Sequence, residues 1–129
     1  MIVVDTTVWI DFFRAKDTEQ TMKLRRLIGR ELILIGDIVL VEILQGLRDD
    51  AQANRVERAL RVHRVEPMLS SELASKVASN YRLLRAKGIT VRKTIDMIIG
   101  TFCIEGGHGL LHSDRDFDPM QDHLGLSVI

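Results

Sequence analysis

Apolar residues along this chain fall into two rhythms. Short unbroken runs occur at Ile2-Val3-Val4, at Leu32–Ile35 ended by Gly36, at Gly109-Leu110-Leu111, and at Leu126–Ile129. Runs of this length without polar alternation predict strands buried on both faces. Between them the apolar positions recur every three or four residues, the spacing of one helical face. Thr18 to Arg30 carries Met22, Leu24, Leu27 and Ile28 among basic residues. Asp37 is the expected N-cap of a helix over Ile38–Arg48, weakened near its end by Gly46. Ala51–Arg61 is polar with sparse apolar positions. Ser71 to Lys87 aligns Leu73, Val77, Tyr81 and Leu84, and Gly88 stops it. Thr94–Glu105 follows, terminated by Gly106-Gly107, while Trp9, Phe12 and Phe13 share one helical face after Asp5. Strands alternating with helices, with the strands uniformly apolar, predict an α/β fold: a mainly parallel sheet covered on both faces. No repeat, low-complexity segment or linker interrupts the chain, so residues 1–129 read as one three-layered domain.

Composition narrows the function classes. At 129 residues, with 46% hydrophobic and 28% charged side chains, the chain can bury a core without disulfide or structural metal. Eighteen basic and eighteen acidic residues cancel, which excludes a polybasic mode of nucleic-acid binding and leaves room for a local basic patch. Aromatics at 5% argue against a stacking platform for single strands. The single cysteine, Cys103, excludes an internal disulfide and a cysteine-based zinc site; within Ile98–Ile104 it reads as a buried thiol. No charged leader precedes an apolar stretch. The longest segments free of Asp, Glu, Lys and Arg reach eight residues, against the roughly 20 that span a bilayer. A soluble, cytoplasmic protein is expected.

The informative residues are acids placed where a core-building pattern has no use for them. Asp5 ends the first apolar run, and Glu42 is the only charge between Ile38 and Leu47. Asp96 opens Met97-Ile98-Ile99, and Asp114 and Asp116 follow Leu110-Leu111. Each has an ordinary explanation alone: Asp5 as a helix cap, Glu42 paired with Arg48, Asp96 as a first-turn acid favoured by the helix dipole, Asp114 as a turn residue. Together they share a topological position, because ligands of parallel sheets collect beyond the carboxyl ends of strands. Carboxylates gathered there cannot all ionise without cations. No Lys or Arg cluster accompanies them, and oxygen-only ligation selects a hard ion such as Mg²⁺ or Mn²⁺. Such an ion activates water and neutralises charge on a phosphodiester, so the chemistry points to a nuclease.

These residues also resemble a known family. Val3-Val4-Asp5-Thr6-Thr7-Val8-Trp9-Ile10-Asp11 is similar to the N-terminus of PIN-domain ribonucleases, specifically the VapC toxins of type II toxin–antitoxin pairs. Val41-Glu42-Ile43-Leu44-Gln45-Gly46 resembles their second acidic motif, and Gly88-Ile89-Thr90 with Thr94-Ile95-Asp96 the third. Leu110-Leu111-His112-Ser113-Asp114-Arg115-Asp116-Phe117 resembles the fourth. The resemblance implies a PIN-like α/β/α fold and assigns Asp5, Glu42, Asp96 and Asp114 as the acids that bind metal, with Asp116 a further contributor. Thr6, Thr7 and Ser113 would support them; Thr7 stands where serine is common, and His112-Ser113 where threonine and a basic or amide residue are more usual. The resemblance further implies hydrolysis of structured RNA such as tRNA or a ribosomal RNA loop, a homodimer, a small antitoxin covering the active-site groove, and DNA contact only through that antitoxin.

Asp114, Asp116 and Asp118 alternate like a calcium loop, but Pro119 and Gly125 stand where that loop needs Gly and Glu. His108 and His112 are four apart without a third zinc ligand, and no Gly-Lys-Ser/Thr phosphate loop exists. An aspartyl-phosphate mechanism at Asp5 wants a second aspartate where Thr7 stands. Arg14, Arg92 and Arg115 are the expected RNA-phosphate contacts; Arg48, Lys93 and the Arg25, Arg26, Arg30 series read first as a solvated face. The competing function is a non-catalytic acidic groove that holds a partner protein in a DNA-bound repressor complex.

Overall fold

The computed structural model describes all residues, 1–129. In chain order the elements are β1 (Ile2–Val4), α1 (Thr6–Phe13), α2 (Glu19–Leu27), β2 (Ile33–Gly36), α3 (Asp37–Gln45), α4 (Asp50–Leu60) and β3 (Arg64–Glu66). There follow α5 (Ser71–Ala86), α6 (Thr94–Gly106), β4 (Gly109–Leu111), a 3₁₀ turn (Arg115–Phe117), α7 (Asp118–Leu124) and β5 (Ser127–Val128). The five strands form one sheet in the order β3-β2-β1-β4-β5, and every neighbouring pair is parallel.

That order explains the layers. The chain moves outward from β1 to β2 to β3, then crosses back to β4 and moves the opposite way to β5. Right-handed crossovers place helices on one face for the first direction and on the other face for the second. Accordingly α1 packs on α2 and α3, and α3 on α4, while α5 packs on α6 and α7. The three central strands are buried along almost their whole length, as the unbroken apolar runs predict.

Several elements depart from the sequence expectation, each for a local reason. β3 was not expected: its Arg64 and Glu66 pair with each other on a sheet edge, where only one flank needs apolar cover. α7 was also unforeseen, being a short helix opened by Asp118-Pro119. The basic segment is helical only over Glu19–Leu27; Thr18 and Thr21 cap each other reciprocally, and the chain leaves the helix before Gly29, which has φ +84°. Asp37 is not the N-cap of α3. Gly36 holds that position, and the Asp37 carboxylate accepts from Ile38 N at 2.8 Å and from Met68 N at 3.1 Å. It thereby ties the start of α3 to the chain beyond β3. Cys103 is fully buried, and burial pushes its thiol pKa up to about 12, so it is an inert core group. Trp9 is buried and stacks on Phe13 with ring centroids 5.9 Å apart, which puts that aromatic face in the core.

Two close approaches depend on glycine. A Cβ at Gly100, midway along α6, would stand 2.2 Å from Met120 Sδ, and Met120 is fully buried. Gly36 is in the same position against Met68. Gly100→Ala gains roughly 1 kcal/mol of helix propensity but overpacks the α6–α7 contact at a cost of about 1–3 kcal/mol. The expected result is a net loss of up to about 2 kcal/mol in a urea unfolding titration; a stabilised variant would show that Met120 repacks freely.

Candidate functional site

The strand order reverses between β1 and β4, and that switch point is where the unexpected acids meet. Val4 pairs with Leu111 at the carboxyl ends of the two strands, and Asp5 N donates to Leu111 O at 2.9 Å. The backbone therefore holds Asp5 at the lip of the crevice, one residue before α1. Asp114 follows three residues after β4, at the start of the 3₁₀ turn. Asp96 sits in the first turn of α6.

Asp96, Asp114 and Asp116 each offer an atom to a group whose members lie within 4.8 Å of one another. Asp96 is 5% exposed, and its Oδ2 is buried without any hydrogen-bond partner. Burial, followed by the charges of Asp5 and Asp114, pushes its pKa up to about 7, against a smaller opposing pull from Lys93. Asp5 is buried as well. Desolvation raises its pKa, the Thr7 hydroxyl and the amides opening α1 counter that, and Glu42 adds to the rise. The Asp5 side chain does not cap α1; it accepts from Thr7 Oγ1 at 2.8 Å through Oδ2. Burying two acids beside three more, with only the exposed Arg92 and Lys93 as nearby counter-charge, is an arrangement that folding alone does not favour.

Two neighbouring threonines hold the acids in place. Thr6 Oγ1 donates to Glu42 Oε1 at 2.6 Å, joining α1 to α3 and drawing the half-buried Glu42 toward Asp5. Thr7 Oγ1 also lies 3.2 Å from Ser113 Oγ, so one hydroxyl bridges the loops that follow β1 and β4. In the second loop, Asp114 Oδ1 accepts from Asp116 N at 2.9 Å, and His112 Nδ1 accepts from Asp114 N at 3.1 Å. The His112 ring packs on Phe117, with centroids 4.9 Å apart. His112 is thus a loop-shaping residue, a role that its four-residue spacing from His108 did not suggest. His108 instead stacks on Phe102, so the two histidines serve different neighbours.

The basic residues divide. Arg92 is exposed and reaches Asp116 Oδ1 at 3.8 Å, directly over the cluster. Arg115 is exposed between Asp114 and Asp116 and forms no ion pair. Lys93, not expected to bear on the site, is close enough to act on the Asp96 charge. Arg14 is elsewhere: it follows the last residue of α1, roughly 13 Å along the helix axis from Asp5. It lines a groove with α3 and α4.

Comparison with known proteins gives the family and the fold. The PIN domain profile matches residues 2–122. Ribonuclease VapC11 of Mycobacterium tuberculosis is 32% identical over 123 residues, covering 92% of this chain and 90% of the relative. The VapBC2 complex of Rickettsia felis bound to a promoter DNA fragment superposes with a TM-score of 0.79 at 17% identity, covering 100% of this chain and 98% of that one. VapC20 of M. tuberculosis, a sarcin-ricin loop cleaving toxin, gives a TM-score of 0.66 at 21% identity, with 92% and 93% covered. At these identities the solved structures share the fold, while the profile match and the 32% identical relative fix the lineage. The chain belongs to the PIN-domain family and, within it, to the VapC ribonucleases.

Proposed function

We propose that this chain is the endoribonuclease toxin of a toxin–antitoxin pair, hydrolysing RNA phosphodiesters with a divalent metal held by Asp5, Glu42, Asp96 and Asp114, and with Asp116 contributing. The observation that carries this reading is the buried, partnerless Asp96 Oδ2, set among the carboxylates of Asp114 and Asp116. A donor set made only of carboxylate oxygens, with an unsatisfied acceptor at its centre, fits a hard ion such as Mg²⁺ or Mn²⁺. When bound, such an ion lowers the pKa of water and offsets the charge that develops on the phosphate.

The chain's own residues have distinct tasks. Thr7 fixes Asp5 through Oδ2, and Thr6 fixes Glu42 through Oε1, so each acid keeps its other oxygen for the ion. The Asp116 amide does the same for Asp114 Oδ1, and Ser113 steadies Thr7. Pre-set rotamers of this kind spare the site reorganisation when the substrate arrives. Arg92 and Arg115, at the mouth, hold phosphates on either side of the scissile bond. A structured RNA, either tRNA or a ribosomal RNA loop, is the proposed substrate; cleavage of the sarcin-ricin loop by VapC20, which shares the fold, supports the second. The toxin–antitoxin complex with the same fold supports an antitoxin partner and DNA contact through it. A homodimer and a cytoplasmic location belong to the same reading; no helix is long and apolar enough to cross a membrane.

Three outcomes test it. Asp96→Asn is expected to cut RNA cleavage by more than ~100-fold with the circular dichroism spectrum unchanged, and Thr7→Val by about 10-fold, as for groups that orient a metal ligand. Cleavage by Asp96→Asn at the wild-type rate would remove the acids from catalysis. EDTA is expected to abolish cleavage and Mg²⁺ or Mn²⁺ to restore it; full activity in EDTA would refute the metal requirement. The third outcome concerns pH. An acid with a raised folded pKa takes up a proton on folding, so its contribution favours the fold at low pH. That contribution declines from the ordinary value of 3.8 and is gone once pH passes about 7. In EDTA the melting temperature should therefore fall between about pH 4 and 7. Asp96→Asn should flatten that fall and exceed wild type at pH 8 by about 1 kcal/mol or more. Mg²⁺ should raise the wild-type melting temperature more at pH 8 than at pH 5; an equal rise at both would place the ion away from Asp96.

A further inference from the structure

A groove outside the acid cluster lies between α1, α3 and α4 and has a volume of about 500 Å³. Phe13, Ile43 and Val56 contribute apolar surface, and Arg14, Arg48 and Arg55 line it from three separate segments of the chain. All three arginines are exposed, and none forms an ion pair. The nearest acid in sequence, Asp49, spends its carboxylate on the Gln52 amide at 2.7 Å, capping α4. Three uncompensated guanidinium groups around one groove, on a chain of zero net charge, mark a site for an extended anion.

We infer that this groove is a second phosphate-binding track that holds the RNA backbone at a distance from the scissile bond, with Arg14, Arg48 and Arg55 as positioning residues. The inference rests on the ribonuclease reading above. A shared element favours RNA: Ile43 on the groove wall and Glu42 at the acids are neighbours on α3, so one helix borders both regions. Need favours it too, because a polyanion drawn to a cluster of five carboxylates gains only where cations flank that cluster. Guanidinium groups contact phosphates without reading bases, so the track supplies affinity and register but no sequence preference.

The test is equilibrium binding of a fluorescein-labelled mixed-sequence single-stranded RNA to the full chain in EDTA, followed by fluorescence anisotropy across a salt series. Wild type, the triple variant Arg14→Gln/Arg48→Gln/Arg55→Gln and the control Arg58→Gln are compared. Arg58 lies on the same helix as Arg55 but lines a different surface. Each lost contact to a single strand lowers the slope of log K against log salt by about 0.7, so the triple variant should lose about 2, with Arg58→Gln unchanged. In the metal-loaded chain the triple variant should raise KM for cleavage by at least ~10-fold while kcat holds, the signature of lost uniform binding.

A triple variant with the wild-type slope and KM overturns the track and leaves the ribonuclease reading intact. Absence of RNA binding and cleavage by the wild-type chain overturns both. If the triple variant keeps its RNA slope but loses affinity for a fluorescein-labelled poly-glutamate peptide, the groove serves an acidic protein segment and the inference fails. Circular dichroism of each variant excludes unfolding as the cause of any loss.

Discussion

Everything in this molecule is arranged around the mutual repulsion of five carboxylates at the carboxyl ends of the central strands of a parallel sheet. Asp5 and Asp96 are buried there, and Asp114, Asp116 and Glu42 are half-buried around them. A carboxylate out of water is costly, and several together are more so, unless opposite charge enters with them. The chain offers little of it: an exposed Arg92 at 3.8 Å from Asp116, and Lys93 at the entrance to α6. The protein accepts this cost locally and offsets it in the core, where the central strands and the inward faces of α3, α5 and α6 are almost wholly apolar.

The fold concentrates the acids without any special machinery. Parallel pairing of β1 and β4 brings two loop entrances side by side, and the reversal of strand order leaves a gap between the helices above them. Into that gap α6 projects its first turn and α3 its middle. Two hydroxyls from adjacent residues complete the framework, Thr6 toward Glu42 and Thr7 toward Asp5 and Ser113. Because consecutive residues at a helix start diverge, one dipeptide braces acids on opposite sides of the crevice.

Charge is segregated more sharply than zero net charge suggests. Acids converge at the strand ends, and unpaired arginines gather in the groove of α1, α3 and α4. The proposed function has a use for this separation: a carboxylate cluster attracts a divalent ion, and acids along the proposed track would repel RNA. Helix α3 serves both regions, presenting Glu42 to one and Ile43 to the other.

Much of this was legible in the sequence. Unbroken apolar runs identified β1, β2 and β4 because a strand buried on both faces has no polar alternation to hide it. Edge strand β3 escaped because Arg64 and Glu66 meet solvent and each other, and α7 because seven residues are too few to establish a period. The acids stood out because nothing in the core-building pattern called for them, and four motifs in order tied them to one family. Spacing along the chain could not show that Arg14 is separated from Asp5 by the length of α1, or that it joins Arg48 and Arg55 instead. Nor could it show that Asp96 is buried with a bare oxygen, or that His112 shapes the loop of Asp114. Residue type and local period are properties of the chain itself, so the sequence determined the elements and the chemistry available. Which charges share a crevice depends on contacts between residues tens of positions apart, and only the packed sheet and its crossovers decided that.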